Sequence, residues 1–200
     1  MPDFSYEINA KAKGYKYICG VDEAGRGPLA GPVCAAAVIL PVNEVIEGLN
    51  DSKKLSEKKR EALYDIIVKK AIAYCVAFGT LEEIEKYNIL NATYLAMNRA
   101  IDGLGIKADF ALIDGNRIPN DIKIACETVV KGDSKSASIA AASILAKVTR
   151  DRLLVEYDKK YPQYNFKKHK GYGTKEHYEA IKEHGVCEVH RLSFLKNVIK

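Results

Sequence analysis

Two hundred residues are enough for one domain with a single buried core, and 48% hydrophobic with 28% charged residues is ordinary for a soluble globular enzyme. The net charge is +5, and the whole excess falls within residues 147–182, which carry ten Lys and Arg against five Asp and Glu. No apolar stretch reaches the roughly 20 residues that span a bilayer, and residues 1–16 lack the apolar core of a secretory signal. Composition therefore excludes a membrane protein and predicts a cytoplasmic location.

In the first half of the chain, apolar runs of strand length predict three strands, at residues 17–22, 33–40 and 72–78. A turn rich in Gly and Pro, at 28–32, separates the first two. Between the second and third, Ser56 is predicted to cap a helix that carries Leu63, Ile66 and Ile67 on one face.

The second half begins with a helix whose apolar positions are Leu90, Tyr94, Met97 and Ile101. Strands at 110–114 and 123–130 follow, and then one long helix over 136–161, which Pro162 stops. Two shorter helices are predicted after it, at residues 175–183 and 191–198. This order of elements predicts an α/β fold with a mixed sheet, and the basic C-terminal helices are expected beside the active edge of that sheet.

The basic stretch at residues 147–182 also contains six aromatic residues: Tyr157, Tyr161, Tyr164, Phe166, Tyr172 and Tyr178. Basic and aromatic side chains together suit a surface that binds phosphates and packs rings against sugars or bases. A solvated helix face above aromatic core positions would give the same composition. Composition alone leaves both interpretations open.

The five cysteines form an odd set without close pairs: Cys19, Cys34, Cys75, Cys126 and Cys187. Such spacing argues against a disulfide framework, and equally against a zinc site, which requires paired short spacings. We expect buried, reduced thiols.

Four acids are distinguished by position, because they follow predicted strands. Asp22 and Glu23 end the first strand, Asp114 ends the strand at 110–114, and Asp133 stands at the entrance to the long helix. Ligands of open α/β sheets bind beyond the carboxyl ends of strands, so these side chains could converge there. Crowded carboxylates need compensating cations, and oxygen ligands select hard ions such as Mg²⁺ or Mn²⁺.

Each acid also has an ordinary interpretation. Asp133 alone would be a helix-start acid, and Asp114 followed by Gly115 is a common turn. Neighbouring strand residues point to opposite faces, so Asp22 and Glu23 are expected to share a site only if the strand has ended before them. The spacing by itself leaves a metal site and these alternatives open.

Four blocks of sequence, in order, resemble the ribonuclease HII family. They are GVDEAGRGPLAGP at 20–32, DSKKL at 51–55, AAASILAKVTRD at 140–151, and KGYGT at 170–174 with His177 after it. The blocks span nearly the whole chain, and their agreement in order is far more specific than one acidic pair before glycines.

The resemblance implies a ribonuclease H-like fold: a mixed five-stranded sheet flanked by helices, with a C-terminal helical segment. It also implies a catalytic and metal-binding set of three aspartates and one glutamate, which by motif are Asp22, Glu23, Asp114 and Asp133. We expect one domain over residues 1–200, with a catalytic core at 17–150 and a helical substrate-binding segment at 151–200. Two other residues of these blocks are expected to lie outside the metal-binding set. Asp151 is expected to pair with Arg150 or to act as a cap, rather than to bind a metal, and His177 is expected to make a structural or phosphate contact.

Six further residues match positions that bind substrate in the family: Gly25, Arg26, Gly27, Lys53, Lys54 and Tyr172. The glycine segment is expected to touch the ribonucleotide at the RNA–DNA junction, because glycine lets the backbone approach a sugar, whose 2′-hydroxyl distinguishes RNA from DNA. Tyr172 is expected to stack on the deoxyribose of the next nucleotide, and the two lysines to contact phosphates. Without the motif these residues would be a strained turn, a core tyrosine and solvated lysines.

The implied activity is that of a monomeric endoribonuclease that cuts RNA paired to DNA, including single ribonucleotides in duplex DNA. Metal-activated water would cut on the 5′ side of the ribonucleotide and leave a 3′-hydroxyl and a 5′-phosphate. One alternative is the type III enzyme, which usually has an additional N-terminal domain and a different junction segment. The other is a non-catalytic hybrid-binding module, which would be expected to lack one of the four acids.

Overall fold

The computed structural model describes residues 1–196, and its centre is a five-stranded mixed sheet in the order β3-β2-β1-β4-β5. The strands are β1 (Ile18–Ala24), β2 (Val33–Ile39), β3 (Ala73–Gly79), β4 (Phe110–Asp114) and β5 (Ala125–Val129). The first three pair antiparallel, while β4 is parallel to both β1 and β5. The predicted mixed α/β sheet is confirmed, and its two central strands β1 and β4 end side by side.

Six α-helices surround the sheet: α1 (Ser5–Ala12), α2 (Glu57–Lys70), α3 (Leu81–Asp102), α4 (Ala137–Lys160), α5 (Phe166–His169) and α6 (Lys175–His184). Helix α1 has no counterpart among the predicted elements. The predicted cap of α2 is confirmed, since the Ser56 hydroxyl accepts a hydrogen bond from Lys59 N. Ile66 is exposed, however, so the predicted apolar face of α2 is too wide.

Two predicted helices differ from the structure. Helix α3 begins well before Leu90, because Thr80 and Glu83 form a reciprocal capping box and Asn88, at a φ of 70°, kinks the helix inside. The helix predicted at 191–198 is wrong within the described residues, where only a short 3₁₀ turn is present (Leu192–Phe194). Its last two positions lie outside the described residues.

Helix α4 lies directly against β1, and its small residues explain how. Ala140, Ala141 and Ala142 are fully buried, and a Cβ at Gly20 would lie 2.2 Å from the backbone nitrogen of Ile139. Helix α3 covers the opposite face of the same strands with Ala96 and its neighbours. The carboxyl end of β1 is therefore fixed between two helices.

The C-terminal part has its own core, formed by Tyr164 and Phe166 against Leu154 and Ile181. Of the six aromatic residues in the basic stretch, only Tyr172 is exposed, with 44% of its surface accessible to solvent. The stretch therefore fits the second interpretation of its composition, a solvated helix face above aromatic residues that mostly belong to the core. Helix α4 continues through position 150, and the division into a core and a helical segment stays a prediction.

All five cysteines are free thiols, as predicted, but Cys75, Cys126 and Cys187 are only partly buried. Within residues 1–196, no helix is long and apolar enough to cross a membrane. The predicted cytoplasmic location stays a prediction.

Candidate active site

The four predicted acids lie around the carboxyl ends of β1 and β4. Asp22 and Glu23 are in β1, Asp114 is the last residue of β4, and Asp133 lies in the 3₁₀ turn before α4. Asp22 and Asp133 are only 4% and 6% exposed. Asp22 and Glu23 lie near the end of β1, as predicted, but both still pair with β2, so the condition that the strand has ended before them is not met.

Burial and neighbouring carboxylates raise the pKa values of Asp22 and Glu23. Burial raises the pKa of Asp22 well above its usual range, and the charges of Glu23 and Asp114 raise it further. Burial also raises the pKa of Glu23, and the charge of Asp114 adds to the shift, although the guanidinium of Arg26, 3.3 Å away, opposes it. Asp22, Glu23 and Asp114 are therefore close enough for their charges to act on one another.

Asp133 belongs to the same electrostatic group. Its pKa is raised first by burial and then by the charges of Asp114 and Asp51. Lys53 compensates in part, with its Nζ 4.0 Å from Asp133 Oδ2. Desolvation lowers the pKa of Lys53, but the surrounding aspartates outweigh it and the net shift is upward. The site holds more negative charge than its own cations neutralise.

Backbone amides fix two of these carboxylates. Gly132 N donates to Asp114 Oδ1 at 2.6 Å, and Glu23 N donates to Asp22 Oδ1 at 2.7 Å. A Cβ at Gly132 would lie 3.2 Å from Asp114 Oδ1 and 2.6 Å from Ile139 Cδ1, so glycine is required for this approach. The orientation of Asp114 thus depends on the turn before α4.

The donor set fits a hard divalent cation. It consists only of carboxylate oxygens, which select Mg²⁺ or Mn²⁺ over softer metals. Within residues 1–196, no three carboxylate, imidazole or thiolate groups are close enough to ligate one ion as they stand. Carboxylates repel one another unless a cation lies between them. We therefore expect these carboxylates to approach the same end of the sheet without touching one another.

Beside the acids, on the α4 side of the sheet, lies a cleft of about 220 Å³, which we call the junction cleft. Its lining residues are Glu23, Ala24, Gly25, Arg26, Gly27, Ser52, Lys53, Lys147 and Tyr172. Five of the six predicted substrate residues are among them. The sixth, Lys54, is exposed outside the cleft. The structure adds Ser52 and Lys147, and Lys147 Nζ lies 5.9 Å from the centre of the Tyr172 ring.

Arg191, a fully buried residue, holds the loop at 25–27 in place. Its guanidinium donates to the carbonyls of Gly25 (2.6 Å), Arg26 (3.0 Å) and Gly31 (2.8 Å). Burial lowers its pKa to about 9. The sequence pattern did not indicate this role, because it predicted only that Arg191 begins a short helix.

Arg150, also fully buried, supports the loop from the other side. It donates to the carbonyls of Pro32 (3.1 Å), Ala30 (2.9 Å) and Lys170 (3.0 Å). Gly25 has a φ of 94°, and a Cβ there would lie 2.0 Å from Arg150 Nε, so glycine is required twice over. The predicted pairing of Arg150 with Asp151 is wrong.

Asp151 pairs instead with Lys147 (2.6 Å) and Arg60 (3.8 Å). Three further lysines of the basic stretch have acidic partners 2.8–3.7 Å away: the exposed Lys167 and Lys168, and Lys170, whose side chain is only 12% exposed. These contacts favour a solvated, ion-paired face over a continuous phosphate-binding surface.

Buried histidines position Tyr172 through its backbone. Cys187 N donates to His190 Nδ1 (3.0 Å), which places the proton of His190 on Nε2. That proton is donated to His177 Nε2 (3.1 Å), and His177 Nδ1 then donates to the carbonyl of Tyr172 (2.9 Å). His177 is fully buried, and its pKa is lowered to about 4, mainly by burial. Its role is structural, and the alternative of a phosphate contact is wrong.

A mixed five-stranded sheet, flanked by helices and with acids at the ends of its central strands, is the arrangement of the ribonuclease H-like fold. The ribonuclease HII family model matches residues 19–197. The ribonuclease HII of Caldicellulosiruptor bescii is 57% identical over 97% of this chain and 95% of its own. That of Burkholderia vietnamiensis is 59% identical over 88% of this chain and 82% of its own.

A solved structure agrees with these sequence comparisons. The ribonuclease H2 of Pyrococcus horikoshii superposes with a TM-score of 0.77 at 25% identity, covering 92% of this chain and 97% of that one. The chain belongs to the ribonuclease HII family. It is a type II ribonuclease H, an endoribonuclease that acts on nucleic acid with divalent cations, and both the type III alternative and the non-catalytic alternative are set aside.

Proposed function

We propose that Asp22, Glu23, Asp114 and Asp133 hold Mg²⁺ or Mn²⁺ and that the strand is cut on the 5′ side of a ribonucleotide paired to DNA. The observation that supports this assignment is the placement of the four acids at the carboxyl ends of β1 and β4 and in the turn before α4, where burial first and neighbouring carboxylates second raise the pKa values of Asp22 and Asp133. A cation bound there would activate water and stabilise the leaving oxygen, giving a 3′-hydroxyl and a 5′-phosphate.

The loop at 25–27 is proposed to recognise the 2′-hydroxyl with its backbone. Arg191 already occupies the carbonyls of Gly25 and Arg26. Within residues 1–196, the amides of Arg26 and Gly27 donate to no protein acceptor, which leaves these N–H groups for a ligand oxygen. The 2′-hydroxyl can accept such a bond, and a deoxyribose offers no oxygen there.

Tyr172 and Lys53 are proposed to position the neighbouring backbone. Gly27 faces the Tyr172 ring, since a Cβ there would lie 3.8 Å from Cε1, and we propose that the ring packs on the deoxyribose after the ribonucleotide. Lys53 has an 80% exposed side chain beside Asp133 and suits a phosphate contact. The exposed position of Lys54 outside the cleft gives its proposed phosphate contact no comparable support.

We also propose that one chain is sufficient for activity, because both the acids and the junction cleft come from a single chain. Within it, residues 17–150 supply the acids and residues 151–200 supply Tyr172. Light scattering at the concentrations used for cleavage would test the monomer, and activity that appears only with a dimer would contradict it.

The direct test is cleavage of duplex DNA that contains one ribonucleotide, compared with an all-DNA duplex, in Mg²⁺, in Mn²⁺ and with a chelator. We expect one cut, 5′ of the ribonucleotide, only with a divalent cation, and none in the all-DNA duplex. Tyr172→Ala should lower cleavage at the lone ribonucleotide more than cleavage within a long hybrid. Cutting that persists in chelator would contradict the metal assignment, and equal losses on both substrates would contradict the role of Tyr172.

A further inference from the structure

A second cleft, of about 360 Å³, meets the acids from the opposite face of the sheet, and we call it the α3 cleft. The residues that matter for the argument are Glu23, Arg26, Leu90, Tyr94, Asp114 and Arg117. Glu23 and Arg26 also line the junction cleft. Glu23 and Arg26 thus stand between the two clefts, one of which lies on the α4 side of the sheet and the other on the α3 side.

The α3 cleft combines apolar walls with one guanidinium that has no carboxylate partner among residues 1–196, beside the carboxylates of Glu23 and Asp114. Leu90 and Tyr94 of α3 are half-buried and form the apolar side. Arg26 is engaged with Glu23 at 3.3 Å. Arg117 is exposed, and among residues 1–196 it has no ion pair or hydrogen-bond partner. A guanidinium beside an aromatic wall suits a sugar-phosphate unit, whose phosphate pairs with the cation while its ring packs on tyrosine.

We propose that the α3 cleft binds the cleaved strand on the 5′ side of the scissile phosphate, with Arg117 contacting a backbone phosphate there. This inference rests on the proposed function, in which the junction cleft binds the ribonucleotide and the nucleotide after it. In that arrangement, a strand that leaves the junction cleft in the 5′ direction passes Glu23, and the α3 cleft lies on the other side of that residue.

The test is a coupling experiment between Arg117 and the substrate, using single-turnover cleavage of a duplex with one ribonucleotide. Arg117→Ala should slow cleavage about tenfold or more, because it removes a charge-assisted contact. Replacing one of the first three phosphates 5′ of the scissile bond by a neutral methylphosphonate should slow the unmodified enzyme similarly. The two changes together should cost little more than either alone, because both remove one contact.

Lys107→Ala is the matched control, since Lys107 is an exposed cation at the opposite end of the sheet, before β4. It should leave the rate within about twofold. Equal rates for Arg117→Ala and the unmodified enzyme, or coupling only to phosphates on the 3′ side, would overturn the inference. An unmodified enzyme that fails to cut any substrate would instead overturn the proposed function, so the two failures are distinguishable.

Discussion

At the scale of single residues, a substitution at Asp114 can remove the charge of a side chain while it keeps the shape. Its Oδ1 accepts from Gly132 N, and an asparagine can keep that bond while it removes the charge. We expect Asp114→Asn to lower cleavage at least about a hundredfold, by analogy with the loss of one electrostatic group from an active site. The melting temperature should stay the same or rise, because the substitution relieves repulsion with Asp22.

Single-turnover cleavage and thermal unfolding would measure both effects. The control is Asp102→Asn, at the exposed end of α3, which should change neither quantity. Unchanged turnover in the Asp114 variant would remove this residue from the proposed site.

The sequence predicted that the four acids lie near one end of the sheet, because strand ends are visible as the ends of apolar runs. It did not separate Lys53 from Lys54, since adjacent lysines have the same local pattern. The 3₁₀ turn (Ser52–Lys54) places Lys53 in the junction cleft near Asp133 and leaves Lys54 outside it. Residue type thus predicted the candidate groups, and backbone geometry distinguished the two lysines.

At the scale of elements, the loop at 25–27 depends on a distant guanidinium. We expect Arg191→Lys to lower the free energy of unfolding by about 3 kcal/mol, because lysine keeps the charge but cannot reach three carbonyls in one plane. Preference for a lone ribonucleotide over a long hybrid should fall as well. Urea unfolding and paired cleavage assays would measure the two effects.

Arg152→Lys is the control for that substitution, since Arg152 pairs with Glu61 on the surface. It should change the unfolding free energy by less than about 0.5 kcal/mol. A similar stability for the Arg191 variant and the control would show that the loop holds its shape without the guanidinium.

The errors in the predicted elements have a common physical cause. Periodicity began at Leu90 because Asn88 interrupts α3, although the capping signature at Thr80 and Glu83 was present in the sequence. Arg191 was read as helical because no local pattern reveals a bond to a carbonyl 166 residues away. Local preferences predicted the strands and α4, whereas tertiary contacts determined the loop and the C-terminal turn.

The histidine chain behind Tyr172 makes the C-terminal part sensitive to acid. His177 has a pKa of about 4 in the folded chain, below its ordinary value of 6.5, so the unfolded chain binds more protons between these values. The free energy of unfolding should therefore fall as the pH drops from about 6.5 toward 4, by up to about 1.4 kcal/mol per pH unit.

Denaturant unfolding at several pH values would measure that slope. His177→Asn, which retains a donor for the Tyr172 carbonyl, should flatten it between about pH 5 and 6.5. His184→Asn, at the exposed end of α6, should leave the slope unchanged. Identical slopes for all three proteins would contradict a buried neutral His177.

At the scale of the whole molecule, the excess positive charge and the proposed nucleic-acid surface coincide only in part, at Lys147. Lys167 and Lys168 lie outside the junction cleft and pair with Asp158 and Glu176, whereas Lys53 lines the cleft with an 80% exposed side chain, 4.0 Å from Asp133. We expect Lys53→Gln to lower the slope of log affinity against log salt by about 0.9, as for one phosphate contact on B-form DNA. The double variant Lys167→Gln with Lys168→Gln should leave that slope nearly unchanged.

Binding of a hybrid duplex in chelator, titrated at several salt concentrations, would give both slopes without cleavage. The double variant is itself the control, because it removes more charge than the single one. A larger change of the salt slope in the double variant would show that the ion-paired face at Lys167 and Lys168 is the main contact with phosphates.

The anchoring of the 25–27 loop also sets an order of events during synthesis of the protein. Gly25 leaves the ribosome long before Arg191, because 166 positions separate the two residues. At about 5–20 residues per second, the delay is on the order of 10–30 s. Throughout that time the nascent chain has its first acids but lacks the guanidinium that orders the loop. The loop proposed to recognise the ribonucleotide is therefore ordered late, by a residue that is made after all four acids.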